Sequence, residues 1–120
     1  MAGIVIVDRS VLSQNLFRLV LKPKGFSCYP AQTLEELKRL LKKKLEVRGV
    51  LISSNIFGDP IDRDLELLHS DPVLKSLRKL FLCKLGDPQC NTQLSVLEKS
   101  HVLQRPFHPT ELYKEIDLWE

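Results

Sequence analysis

A doubly wound α/β fold, with one parallel sheet covered on both sides by helices, is predicted by three observations. Short apolar runs recur five times, around Ile4–Val7, Phe26–Tyr29, Val50–Ser53, Leu80–Cys83 and His101–Gln104. Segments with helical spacing separate them, and strand–helix alternation implies right-handed crossovers. The strongest runs are continuous rather than alternating, as in strands buried on both faces. With 120 residues, of which 43% are apolar and 28% charged, the chain has the length and composition of one globular domain spanning 1–120.

Gly3-Ile-Val-Ile-Val-Asp8 reads as a buried first strand ending on an acid. Ser10 can cap a first helix through Val11, Leu12, Leu16, Leu19 and Val20, an apolar stripe closed by Lys24-Gly25. After the second strand, Thr33 followed by Glu36 has the capping-box pattern, and Leu34, Leu37, Leu41 and Leu45 mark one side of the next helix. Val50-Leu51-Ile52-Ser53 is a β-branched run closed by Ser54, Asn55 and Gly58, which makes it a strand running into a polar loop. If it is the middle strand, Ser53 sits at the carboxyl edge where open α/β sheets place their sites. Past Asp59-Pro60 come a helix through Leu65 and Leu68, a short turn that Asp71-Pro72 can cap, and the fourth strand. Leu94 and Leu97 mark a fourth helix. Pro109 suits the first turn of a last helix through Leu112, Ile116 and Trp119.

The net charge of +3 is mild. Lys38, Arg39, Lys42, Lys43, Lys44 and Arg48 alternate with Leu37, Leu40, Leu41 and Leu45, the pattern of a solvated helix face. No aromatic residues interleave with these cations, so a nucleic-acid interface is not expected. Apolar runs are too short to span a membrane and the start lacks a signal-peptide layout, so the chain reads as cytoplasmic. Cys28, Cys83 and Cys90 are odd in number and lack metal-ligand spacing. Neither a disulfide nor a zinc framework is expected, and Cys83 reads as a small buried apolar residue. His69, His101 and His108 share no ligand spacing, and Asp59, Asp62 and Asp64 lack a regular calcium-loop pattern.

Taken in order, these elements resemble the receiver domain of bacterial two-component response regulators along essentially the whole chain. Ile4-Val5-Ile6-Val7-Asp8 is similar to that family's first strand with one of its terminal acids. Ser53-Ser54-Asn55-Ile56-Phe57 lies where the family has Asp-x-x-Leu/Met-Pro. Leu65-Glu66-Leu67-Leu68 with Ser70-Asp71-Pro72 resembles the third helix and the turn before strand four. Arg105-Pro106-Phe107-His108-Pro109 resembles the Lys-Pro-Phe loop. The resemblance implies a flavodoxin-like sheet in the order 2-1-3-4-5.

It also implies a pocket whose working parts are replaced. Family receivers use an aspartate as phosphoryl acceptor, acids on strand one to hold Mg²⁺, a hydroxyl after strand four and a lysine. Here Ser53 stands at the acceptor and Arg9 beside Asp8 at the second acid. Cys83 stands at the hydroxyl position, Arg105 at the lysine, and Val102 at the switch aromatic. Asp8, Arg9, Ser53, Cys83 and Arg105 thus form a degenerate phosphorylation pocket, with Asp8 paired to Arg105 or Arg9 and with no metal, cofactor or enzymatic activity expected. The function implied is a phosphorylation-independent protein-interaction module in phosphorelay signalling. Its partner would be a sensor kinase, a fused or separate output domain, or a second copy. The family's output face of fourth helix, fifth strand and fifth helix would offer Leu94, Leu97, Val102, Leu112, Tyr113 and Ile116. The alternatives are a receiver phosphorylated at an unusual residue (Ser53, Ser54 or Asp59) and a flavodoxin-like ligand binder. The turn Asp8-Arg9-Ser10 has no phosphate cradle for the latter.

Overall fold

The first strand, β1 (Gly3–Val7), is fully buried along its length, and so are Gly49–Ser53 of β3 (Val47–Ser53) and Lys79–Cys83 of β4 (Lys79–Lys84). Strands buried on both faces need a layer on each side, and the helices supply it. The computed structural model describes residues 3–43, 46–58, 61–84, 86, 87 and 90–119, the side chain of Asn91 excepted. The expected Lys44, Leu45, Asp59 and Pro60 features lie outside these residues. β2 (Ser27–Ala31) and β5 (Ser100–Arg105) complete a parallel sheet in the order β2-β1-β3-β4-β5, as the resemblance implies. The register pairs Val7 with Ile52, Ser53 with Leu82, and Lys84 with Arg105, so the carboxyl ends of β1, β3 and β5 meet at one edge.

On one side α1 (Val11–Leu21) and α5 (Pro109–Asp117) pack over Ile4, Ile6, Leu51, Leu80 and Leu82 through Phe17, Leu21, Leu112, Ile116 and Trp119. On the other, α2 (Leu34–Leu41), α3 (Asp62–Ser70) and the short α4 (Pro72–Ser76) cover Val5, Val7, Val50, Ile52 and Phe81. Gly49 is needed where Trp119 crosses the sheet, because a Cβ there would lie 2.5 Å from the indole. Gly25, at φ 80°, closes the turn after α1.

Three expectations change. Of the expected stripe, Val11, Leu12, Leu16 and Leu19 face solvent, 54–70% exposed, and Val20 is partly buried against the core, while Gln14, Phe17 and Leu21 face it fully. Apolar residues occupy both sides of α1, so spacing alone could not choose the buried side. The helix placed through Leu94 and Leu97 is instead a five-residue π turn, Cys90–Leu94. Cys83 and Cys90 form a disulfide, against the expectation of none. Seven residues of separation carry no framework signal, but the end of β4 and the π turn bring their Cα atoms to 6.2 Å.

Caps join the layers. Ser10 accepts from the Ser13 amide, Thr33 from the Glu36 amide, and the Glu36 carboxylate from the amide of Gln32 rather than from that of Thr33. Lys79 is buried with its ammonium donating to the carbonyls of Leu77, Leu74 and Lys75, which ends α4 at the base of β4. Burial pulls its pKa down to about 8, with Glu98 opposing and Lys99 adding to the shift.

Asp71 caps α4 through the amides of Val73 and Leu74 and reaches Lys38 of α2 at 3.0 Å. The Lys38 contact, then the amide donors, hold its carboxyl below the usual carboxylate range. Asp71→Ala is expected to cost about 1 kcal/mol in urea unfolding at neutral pH. A depressed native pKa contributes stability above the unfolded value, near 3.9, and loses it as pH falls through the native one. The difference between wild type and variant should therefore narrow only in that acid range; a constant difference down to the lowest pH at which both fold would disprove the linkage.

Candidate functional site

Asp8 follows β1 at the carboxyl edge and is completely buried. A buried carboxylate needs donors or a counter-charge. Its Oδ1 accepts from the Ser10 amide at 2.8 Å and from Asn55 Nδ2 at 2.7 Å. Its Oδ2 has no hydrogen bond and faces the Arg105 guanidinium at 3.7 Å. The same guanidinium nitrogen donates to Ser53 Oγ at 3.3 Å. Arg105 leaves the end of β5, passes over the ring of Phe17 at 5.6 Å, and stands between the two residues.

The structure thus brings Asp8, Ser53 and Arg105 together. Arg9 goes elsewhere: its side chain is exposed, while its backbone amide donates to Asn55 Oδ1 at 3.1 Å and its carbonyl accepts from Gln32 Nε2. Of the two cations expected to meet Asp8, the geometry selects Arg105. Cys83 is the last buried residue of β4, but its sulfur is committed to Cys90 on the α3 side of the sheet.

Two residues at the site escaped the sequence reading. Asn55 bridges the turn after β1 to the loop after β3 by using both ends of its amide. Its place two residues past a strand end, in a Ser-Ser-Asn run, was the available signal. Gln14 is buried on α1 and donates to the carbonyls of Asp8 and Ala31, fastening α1 to the edges of β1 and β2. A polar residue at i of the i, i+3, i+7 set with Phe17 and Leu21 marks it in retrospect.

The residues of the expected partner face divide by burial. Leu94, Leu112 and Ile116 are fully buried core residues, so they cannot meet a partner as the chain is folded. Leu97 and Val102 are partly buried against the same core as Leu94. Tyr113 sits at the α1–α5 seam, where its hydroxyl donates to the Val20 carbonyl and Lys24 lies over its ring at 5.2 Å.

Chemically the edge is closed on itself. Ser53 is 4% exposed and its hydroxyl accepts from Arg105, while the Asp8 carboxylate is engaged by Ser10, Asn55 and Arg105. A divalent cation needs several hard oxygen ligands. Among the described residues the pocket offers one carboxylate, with one oxygen already accepting two hydrogen bonds and the other facing a guanidinium. The residues present do not fit Mg²⁺. Among the described residues, no three His, Cys, Asp or Glu side chains cluster to hold a metal.

No protein-family model matches the chain, and no curated protein matches its sequence. Solved structures do match in fold. A response regulator receiver protein from Burkholderia phymatum superposes with a TM-score of 0.75 at 15% identity, over 99% of this chain and 94% of that one. A chemotaxis response regulator of Vibrio cholerae gives 0.74 at 18%, over 100% and 99%. The receiver domain of a Pseudomonas aeruginosa sensor histidine kinase gives 0.73 at 13%, over 98% and 95%; that protein has a magnesium ion coordinated in its active-site cleft. The fold is therefore the flavodoxin-like one of response-regulator receivers.

Arg105→Met removes the guanidinium that stands against a buried carboxylate. It is expected to lower stability by about 1–3 kcal/mol in denaturant unfolding. Adding Asp8→Asn should recover part of that loss, since the pair rather than the individual side chains is being disrupted. Strictly additive effects would mean that the 3.7 Å approach carries no coupling.

Proposed function

We propose that this chain is a receiver-fold protein-interaction module in two-component signalling, working in the cytoplasm without taking a phosphoryl group and without enzymatic activity. The observation that carries this reading is the Arg105 guanidinium held between Ser53 and Asp8 at the strand edge. A hydroxyl stands where the fold's relatives by resemblance place a nucleophilic carboxylate, and a fixed cation stands in the space a metal would need.

The partner-binding surface that fits best is α1. Val11, Leu12, Leu16 and Leu19 leave an apolar ridge 54–70% exposed. Between Arg9 and Leu34 there is no Asp or Glu, while Arg9, Arg18, Lys22 and Lys24 lie in or beside this helix, Lys24 paired with Asp117 of α5 at 3.0 Å. An apolar ridge on a segment whose own charges are all positive fits a kinase or output domain that offers an apolar groove with acidic flanks. This choice replaces the fourth-helix, fifth-strand and fifth-helix face, whose apolar residues are largely in the core.

Two measurements test the proposal. Incubation with acetyl phosphate and Mg²⁺ should leave the intact mass unchanged; a gain of one phosphoryl group would overturn the phosphorylation-independent reading. Photo-crosslinkers placed at Leu12 and Leu16 should capture a protein partner that one at exposed Val96 does not, and added salt should weaken the capture. Capture from Val96 alone would move the interface off α1.

A further inference from the structure

The disulfide is the one covalent feature that the reading above does not use. Cys83 ends the buried part of β4, in register with Gln104 of β5. Cys90 opens the π turn, and both residues are at most 1% exposed. Beyond Cys90 the chain reaches β5 through the least regular stretch of the fold. The π turn is followed by non-helical turns and by Lys99 at φ 54°, a left-handed conformation unfavourable for a residue with a Cβ. Its apolar anchors are Leu94, fully buried, and Leu97, partly buried.

We propose that Cys83–Cys90 is an exchangeable redox bond, opened by a dithiol reductant, which releases the segment from Cys90 to Leu97 while leaving the sheet intact. This goes beyond the partner-binding reading and does not depend on it.

Three features argue for exchange rather than for a global staple. The bond spans a sequence separation of only seven residues, and one end is in a strand already paired on both sides. Closing so short a loop restrains that loop far more than it restrains the fold. A cavity of about 290 Å³, walled by Phe57, Ile61 and Leu94 with Ser54 and Asp87, also reaches Cys90. With Cys90 1% exposed, a thiolate entering this cavity reaches its sulfur when the weakly held segment opens. Finally, Cys28 cannot compete. It belongs to the core on the opposite side of the sheet, and burial raises its thiol pKa, which keeps it protonated.

In the reaction, one thiolate of the dithiol attacks Cys90 Sγ. The Cys83–Cys90 bond breaks, its electron pair leaves on Cys83 Sγ, and that sulfur takes a proton. The second thiol of the reductant then displaces Cys90, so the protein gains two electrons and two protons and the reductant becomes a disulfide. The reverse exchange with an oxidised dithiol closes the bond again. In a reducing compartment a persistent disulfide is uncommon, so a pair that opens and closes is also the form consistent with the cytoplasmic placement proposed above.

The purified chain tests this by alkylation and amide hydrogen exchange. Unfolded without reductant, it should show one alkylatable thiol, the free Cys28. After native treatment with dithiothreitol it should show all three cysteines. Reduction should speed exchange of the amides at 90–97 by about ten- to a hundredfold and leave β1, β3 and β4 unchanged. Cys90→Ser should show the fast pattern with no reductant, and reduced wild type provides the same readout should that variant fold poorly. The proposal is overturned by three free thiols in the unreduced chain, by resistance to native dithiothreitol, by unchanged exchange after reduction, or by loss of protection throughout the sheet.

Discussion

Burial of the three central strands on both faces is the constraint from which the rest of this structure follows. Ile4–Val7, Val50–Ile52 and Leu80–Cys83 are at most 2% exposed, so neither side of the sheet can face water. Each strand must then be followed by a crossover that returns along one face, and right-handed crossovers keep every strand pointing the same way. All the strand ends consequently meet at one edge. Asp8, Ser53 and Arg105 lie 45 or more positions apart in sequence, yet the registers of β1 with β3 and of β4 with β5 deliver them to within hydrogen-bonding or ion-pair distance.

At that edge the governing energetics are those of a single desolvated carboxylate. Asp8 is satisfied on one oxygen by an amide and an amide side chain, and on the other by the proximity of a cation. Such a group is held in place because leaving it unpaired would cost several kcal/mol. The same partners that stabilise it occupy the room and the lone pairs that metal chemistry would require. Stability of the edge therefore rests on residues from three strand ends acting on one carboxylate.

The two sides of the sheet differ in what they leave exposed. The α1–α5 side carries its apolar surplus outward, because α1 has more apolar residues than its contact with the sheet can cover. The α2–α3 side carries its irregularity at the π turn, which a disulfide fastens to β4. Helical packing over the strands is shared with the receivers of similar fold.

Much of the fold was legible in the residues themselves. Continuous β-branched runs announce strands buried on both faces, and the capping signals at Ser10, Thr33, Asp71 and Pro109 each mark a helix start found in the structure. These signals are local, so a linear reading can find them. Asp8, Ser53 and Arg105 were legible as a set once strand ends were matched to a known pattern. What only the tertiary structure decided depends on direction in space. It chose Gln14, Phe17 and Leu21 over the more apolar stripe of α1, because core contact is set by where the helix lands on the sheet rather than by its composition. It turned Arg105 inward and Arg9 outward, although both are arginines beside strand ends. It also joined Cys83 to Cys90, since the distance between two Cα atoms across a loop is fixed by the strand and turn that bound it, not by the number of residues between them.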